Sequence, residues 1–139
     1  NTAVGAYTMQ LNTTGYRNTA IGRSALTQNT VGFENTALGY NAASNSNNTG
    51  TTAIGYNALA IGTGTQNVSI GYQAMQNSTT AVQNTVVGFQ AMSGATSTGG
   101  RNTAIGRTSM FSQDFDFSKT VLYERNSCVK ISKTLIFCD

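Results

Sequence analysis

The chain has no histidine, no proline and no tryptophan, and only 9% of its 139 residues are charged. An ordinary soluble domain carries about a quarter of its residues as charges. Without histidine the commonest general base is missing, and neither a serine triad nor a Cys–His pair can be assembled within one chain. Five acids are present. Asp114 and Asp116 lie in a short aromatic stretch with no other polar support, which reads as a solvated acidic turn, not as the two spaced carboxylates of a glycosidase. Two cysteines without histidine make no zinc site. The acids are too few for a calcium-binding repeat, and the Gly62-Thr63-Gly64 phrase lacks the lysine of a phosphate loop. The composition therefore predicts a non-enzymatic protein with no cofactor and no metal.

The scarcity of charge also bears on partners. The formal net charge is +3, with no dense Lys/Arg stripe, so the counterion release that drives nucleic-acid binding would be weak. No apolar run approaches the roughly 20 residues that span a bilayer, so membrane insertion is not expected. No signal peptide is visible. The sequence opens inside a repeat without an initiator methionine, as expected of a processed product or a fragment, from which an export signal could have been removed.

What the chain does have is one phrase seven times over. It reads Asn1-Thr-Ala-Val-Gly5, Asn18-Thr-Ala-Ile-Gly22, Asn35-Thr-Ala-Leu-Gly39, Thr51-Thr-Ala-Ile-Gly55, Asn67-Val-Ser-Ile-Gly71, Asn84-Thr-Val-Val-Gly88 and Asn102-Thr-Ala-Ile-Gly106. The closing glycines, Gly5, Gly22, Gly39, Gly55, Gly71, Gly88 and Gly106, are 17, 17, 16, 16, 17 and 18 residues apart. A fixed period of this kind is the signature of a stacked repeat architecture. With the Asn counted as position 0, position 3 is Val, Ile or Leu in all copies. Position 7 is Ala in five (Ala25, Ala42, Ala58, Ala74, Ala91), and position 8 is Leu or Met in six, with Ala43 the exception. Residues 111–139 break the pattern, so the organisation read from sequence is a repeat domain over 1–110 and a C-terminal cap or assembly segment over 111–139.

Glycine in every period, with abundant Thr and Asn, argues against helical repeats. A strand-turn-strand unit fits better. A turn of this length has a contour of roughly 55 Å, enough for a flattened coil with two short strands, and seven turns stacked about 4.8 Å apart would give roughly 30 Å of rod. The expected fold is all-β: a parallel β-solenoid, or β-roll, of about seven rungs. The glycines are expected at corners needing φ > 0 or close backbone approach. The Asn at position 0 is expected to bond its own backbone and stack on the Asn above. The Ile and Leu/Met columns are expected to form the dry core, and Asn45–Gly50 and Ala60–Gly64 to form bulged loops. In the last segment, Phe111–Phe117 alternates apolar and polar residues, and Thr120–Glu124, Cys128–Ser132 and Thr134–Cys138 read as short strands. A hairpin centred on Lys133 would set Cys128 opposite Cys138, permitting a disulfide; two unpaired thiols are the alternative.

The phrases Asn18–Gly22, Thr52-Ala-Ile-Gly-Tyr-Asn-Ala-Leu59 and Asn102–Gly106 resemble two related repeat groups: the head repeats of trimeric autotransporter adhesins and the shaft repeats of phage and giant-virus tail fibres. The adhesin heads use a shorter period, which favours the fibre group. The resemblance implies a left-handed parallel β-roll, three copies of which make a trimeric rod. Many such fibres end in an intramolecular chaperone, and residues 111–139 are too short a stretch to form one.

Position 5 holds Tyr40, Tyr56, Tyr72 and Phe89 in consecutive rungs, flanked by Arg23 and Arg107. In a stacked coil these six make one column. Exposed, it would bind sugar rings by their apolar faces, with the arginines holding acidic groups; alternatively the rings stack on each other or fill a contact between chains. Position 1 gives a column of Thr2, Thr19, Thr36, Thr52, Thr85 and Thr103. Ice-binding solenoids generally pair such a column with a second Thr, where this chain has Ile, Val or Leu. Four Asn-x-Ser/Thr acceptor sequences occur, as chance predicts in so Asn/Thr-rich a chain. The leading expectation is an extracellular or virion fibre segment: a homotrimeric rod that presents a face to a host-surface glycan. A self-assembling filament with rods joined end to end is the alternative, and an ice-binding protein a minor one.

Overall fold

In the structure, a computed structural model, residues 1–45, 47–94, 99–111 and 120–121 are described. Each copy of the repeated phrase forms one strand: β1 (Thr2–Val4), β2 (Thr19–Ile21), β3 (Thr36–Leu38), β4 (Thr52–Ile54), β5 (Val68–Ile70), β6 (Thr85–Val87) and β7 (Thr103–Ile105). An eighth, β8 (Thr120–Val121), follows. All eight lie in one parallel sheet in sequence order. The register puts like on like, with Thr2 beside Thr19, Thr19 beside Thr36 and Thr36 beside Thr52. The fold is thus a parallel β-solenoid, and the described residues contain no helix.

Several sequence expectations are corrected. One strand, not two, is found per turn among the described residues. After the corner glycine, the backbone swings into the left-handed region at positions 6 and 8 of every rung, for example Ser24 (φ 61°) and Leu26 (φ 50°). No extended strand survives that alternation. The turns are stitched to each other all the same: Ser24 N–H donates to Ala6 O of the rung before at 2.9 Å, and Leu26 N–H to Ala42 O of the rung after at 3.0 Å. Rung-to-rung hydrogen bonds pair the backbone groups that a buried edge would orphan.

The core is also not where the aliphatic pattern puts it. Side chains alternate across a strand, so positions 1 and 3 share one face and position 2 the other. The inward residue is position 2: Ala20, Ala37, Ala53, Ser69, Val86 and Ala104 are all buried. The Ile/Val/Leu column at position 3 points out. Val4, Ile21, Leu38 and Ile105 are exposed, and Ile54, Ile70 and Val87 are half-buried. The interior is thin, since the position-7 alanines and the position-8 Leu and Met residues close it from the opposite side. Position 2 is Ala in four of the six buried rungs, with Ser69 and Val86 in the others.

The position-0 asparagines form a buried ladder, and they bond the neighbouring rung, not their own turn. Asn18 Oδ1 accepts from Asn35 N–H and from Asn35 Nδ2, each at 3.0 Å. Asn35 Oδ1 accepts from Thr51 N–H at 3.1 Å. The amides of Asn1, Asn18, Asn35, Asn67 and Asn84 also donate to a backbone carbonyl, for example Asn18 Nδ2 to Gly32 O at 2.9 Å and Asn67 Nδ2 to Ala81 O at 2.7 Å. Thr51 interrupts this ladder, and its buried Oγ1 has no partner.

The turns read as bulged loops are the shorter ones, and parallel pairing continues through them in a bridge between Thr49 and Thr65. The boundary at residue 110 is not the end of the sheet, because Thr120 and Val121 pair in register with Thr103 and Ala104. Cys128 and Cys138, with the expected strands around them, lie outside the described residues.

Candidate functional site

The surface columns are built by register alone. Position 5 follows the corner glycine, and every rung places it at the same point of the coil. The rings of Tyr40, Tyr56, Tyr72 and Phe89 consequently stack, with centroids 5.2, 5.2 and 5.0 Å apart and planes within 10°. Strand spacing of about 4.8 Å imposes this face-to-face geometry, although free aromatic pairs prefer offset or edge-on contact. The Arg23 guanidinium carbon lies 5.6 Å from the Tyr40 centroid and 5.7 Å from that of Tyr7. Its Nη1 also donates to the Tyr40 hydroxyl at 3.3 Å. At the other end Arg107 sits 5.6 Å from the Phe89 centroid. All six candidate residues therefore form one continuous column, a ring stack with a cation at each end.

This geometry decides what the column can contact. Interior ring faces are covered by the neighbouring rings, and the terminal faces by guanidinium groups. Face-on stacking of a sugar is closed off. The column offers solvent its ring edges and the Tyr40, Tyr56 and Tyr72 hydroxyls. Each ring is 37–45% exposed, enough for edge contact and too little for a free face.

The seven corner glycines form a second column, with φ between 127° and 146°. At Gly39 an added Cβ would lie 2.5 Å from Gly55 O and 2.7 Å from its carbonyl carbon. Both the left-handed backbone and the contact with the rung below require glycine there.

One further feature was not singled out from sequence, and a second extends the Thr column that was. Tyr16 and Phe33 make a separate stacked pair, with centroids 4.9 Å apart and planes 3° apart. Their spacing of one period was the available signal. The position-1 and position-3 columns together form an outward face of Thr, with Val68 in β5, beside Ile, Val and Leu, running the length of β1–β7. None of its residues carries a charge. The mostly small residue at position 2, Ala or Ser in every rung but that of Val86, was the signal for it. The Arg17–Glu34 ion pair, at 2.8 Å, joins adjacent rungs at an exposed corner, where such pairs contribute at most about 1 kcal/mol. Among the described residues, no group of acidic, Cys or His side chains could hold a metal, and no helix could cross a membrane. No protein-family model, curated protein or solved structure matches this chain.

Proposed function

We propose that this chain is a rod segment of an extracellular or virion fibre, that it assembles with copies of itself into a trimer, and that it meets a host-surface glycan along the edge of its aromatic column. The observation that carries the reading is the outward Thr/aliphatic face. Burying a large aliphatic side chain from water is worth about 1.5–3 kcal/mol when complete, so a half-exposed one retains on the order of 1 kcal/mol. Seven in a line supply roughly 5–10 kcal/mol per chain, comparable with the cost of association. The face runs along β1–β7, so a second copy can lie against it, and the absence of charge leaves only the Thr hydroxyls to be desolvated. The likeness to trimeric fibre shafts gives the number of copies, and a glycan as the ligand comes from the same resemblance.

The test is Ile54→Lys combined with Ile70→Lys, followed by analytical ultracentrifugation. The expected result is a trimer for the parent chain and a folded monomer for the variant, because both side chains point outward. A variant that remains trimeric overturns the assignment of this face. Polymers of indefinite length in the parent chain would instead favour end-to-end filaments.

A further inference from the structure

Three phenols occupy consecutive rungs of the position-5 column. Tyr40, Tyr56 and Tyr72 follow one another at intervals of 16 residues. Register holds their ring centroids 5.2 Å apart in both neighbouring pairs. All three rings are exposed beyond a third of their surface, with their neighbours covering the faces and solvent reaching the edges. Those edges carry the hydroxyl and the two ortho carbons. The residue before each ring is Gly39, Gly55 or Gly71, so no side chain stands on that flank. Neither of the other described tyrosines is paired with a phenol. Tyr16 stacks on Phe33, and Tyr7 meets the Arg23 guanidinium. Phe89, which follows Tyr72 in the column, has no hydroxyl to oxidise.

We propose that this ladder is a site of oxidative modification, at which a one-electron oxidant joins Tyr56 to Tyr40 or to Tyr72 by a dityrosine bond between neighbouring rungs. Each phenol gives one electron to the oxidant and its hydroxyl proton to water. The unpaired electron of the resulting phenoxyl radical is shared with the ortho carbons, Cε1 and Cε2. Two neighbouring radicals pair these electrons in a new Cε–Cε bond. The hydrogen on each joined carbon then moves to the oxygen and restores both phenols. Two electrons and two protons are lost per bond formed. A Cε–Cε bond sets the rings edge to edge, with centroids slightly closer than the observed 5.2 Å. The rings must therefore turn about Cβ–Cγ while the backbones stay in register. That torsion is broad for aromatic side chains, and exposed side chains turn far faster than a structure opens locally. Two reacting groups held side by side in one chain outcompete encounters between dilute chains. The bond spans 16 residues of sequence and ties one rung to the next, which restricts the unfolded chain as a disulfide does. The site needs only the in-register column and goes beyond the glycan reading: a chain that binds no glycan should still cross-link.

The test is brief photo-oxidation of the full chain at low concentration by a ruthenium tris-bipyridyl complex with persulfate, which takes up the two electrons and leaves as two sulfate ions. Dityrosine is read by its fluorescence and by the loss of two hydrogens from the intact mass. Tandem mass spectrometry of a thermolysin digest identifies the joined residues. The expected result is a single chain linked at Tyr40–Tyr56 or Tyr56–Tyr72, with Tyr7 and Tyr16 unjoined. The same treatment in urea that unfolds the chain should lose this selectivity. Tyr56→Phe leaves Tyr40 and Tyr72 two rungs apart, roughly 10 Å, and should bring the product within the chain down to background. Tyr40→Phe keeps the Tyr56–Tyr72 pair and should retain it. If Tyr56→Phe fails to fold, Tyr40→Phe combined with Tyr72→Phe should give the same loss. Absence of dityrosine in the parent chain, links between chains alone, comparable yield at Tyr7, Tyr16 or Tyr123, the same map from the unfolded chain, or undiminished product in the folded Tyr56→Phe variant would overturn the proposal.

Discussion

Replacing Asn18 by Ala tests the internal ladder more sharply than any surface change. Asn18 is 1% exposed. Its Oδ1 accepts from Asn35 N–H and Asn35 Nδ2, and its Nδ2 donates to Gly32 O. Gly32 O keeps a second donor, Asn29 Nδ2 at 3.0 Å, and Asn35 Nδ2 keeps Asn48 O at 2.6 Å. The group left with nothing is the Asn35 N–H. An orphaned buried donor costs about 1–3 kcal/mol, and the bonds lost at groups that keep one partner add about 1 kcal/mol more. The expected destabilisation is about 2–4 kcal/mol. Stacked repeats need not unfold in one step, so the assay pairs urea denaturation with hydrogen exchange read at single amides. The Asn35 amide should lose protection out of proportion to amides several rungs away. Thr19→Ala, next in sequence but outward-facing, should change stability by less than about 0.5 kcal/mol. An Asn18→Ala effect as small as that control, or one spread evenly over the chain, would refute the ladder.

Three other perturbations have expected outcomes. Thr51→Asn should raise the melting temperature by the equivalent of about 1 kcal/mol, because the buried Thr51 Oγ1 has no partner and the amide would continue the ladder between Asn35 and Asn67. Gly39→Ala, at φ 134° and against Gly55 O, should cost about 2–4 kcal/mol in chemical denaturation. Tyr56→Ala removes two stacked contacts and should cost about 2–3 kcal/mol, whereas Tyr56→Phe should be near neutral; equal effects of the two would show that the hydroxyl, not the stacking, matters.

The repeat period made the solenoid legible, because a fixed step of 16–18 residues with a glycine at one point admits few architectures. It also made the Arg23-to-Arg107 column legible, since in-register stacking brings like positions together whatever the details of the turn. The direction of the strands was harder. A three-residue strand is too short for periodicity to say which face is inside, and hydrophobicity points to Ile21, not to Ala20. Interior thickness decides it, and thickness depends on what the opposite wall contributes, here Ala25 and Leu26. The left-handed backbone at Leu26, Leu59, Met75 and Met92 was not legible at all. Such residues avoid that region in isolation, and hydrogen bonds between rungs override the preference.

The account depends above all on the rungs being stacked one upon the next in register. Pulsed electron paramagnetic resonance between labels at Thr19→Cys and Thr103→Cys tests this directly, with Cys128 and Cys138 replaced by Ser and labelled chains diluted into unlabelled ones. Both sites sit at the same position of their strands, β2 and β7, separated by five steps of the sheet. At about 4.8 Å per step the backbones should be roughly 24 Å apart. A single narrow distribution near that distance is the predicted result. A broad distribution, or a mean well beyond that distance, would contradict the stacked solenoid and every surface column built on it.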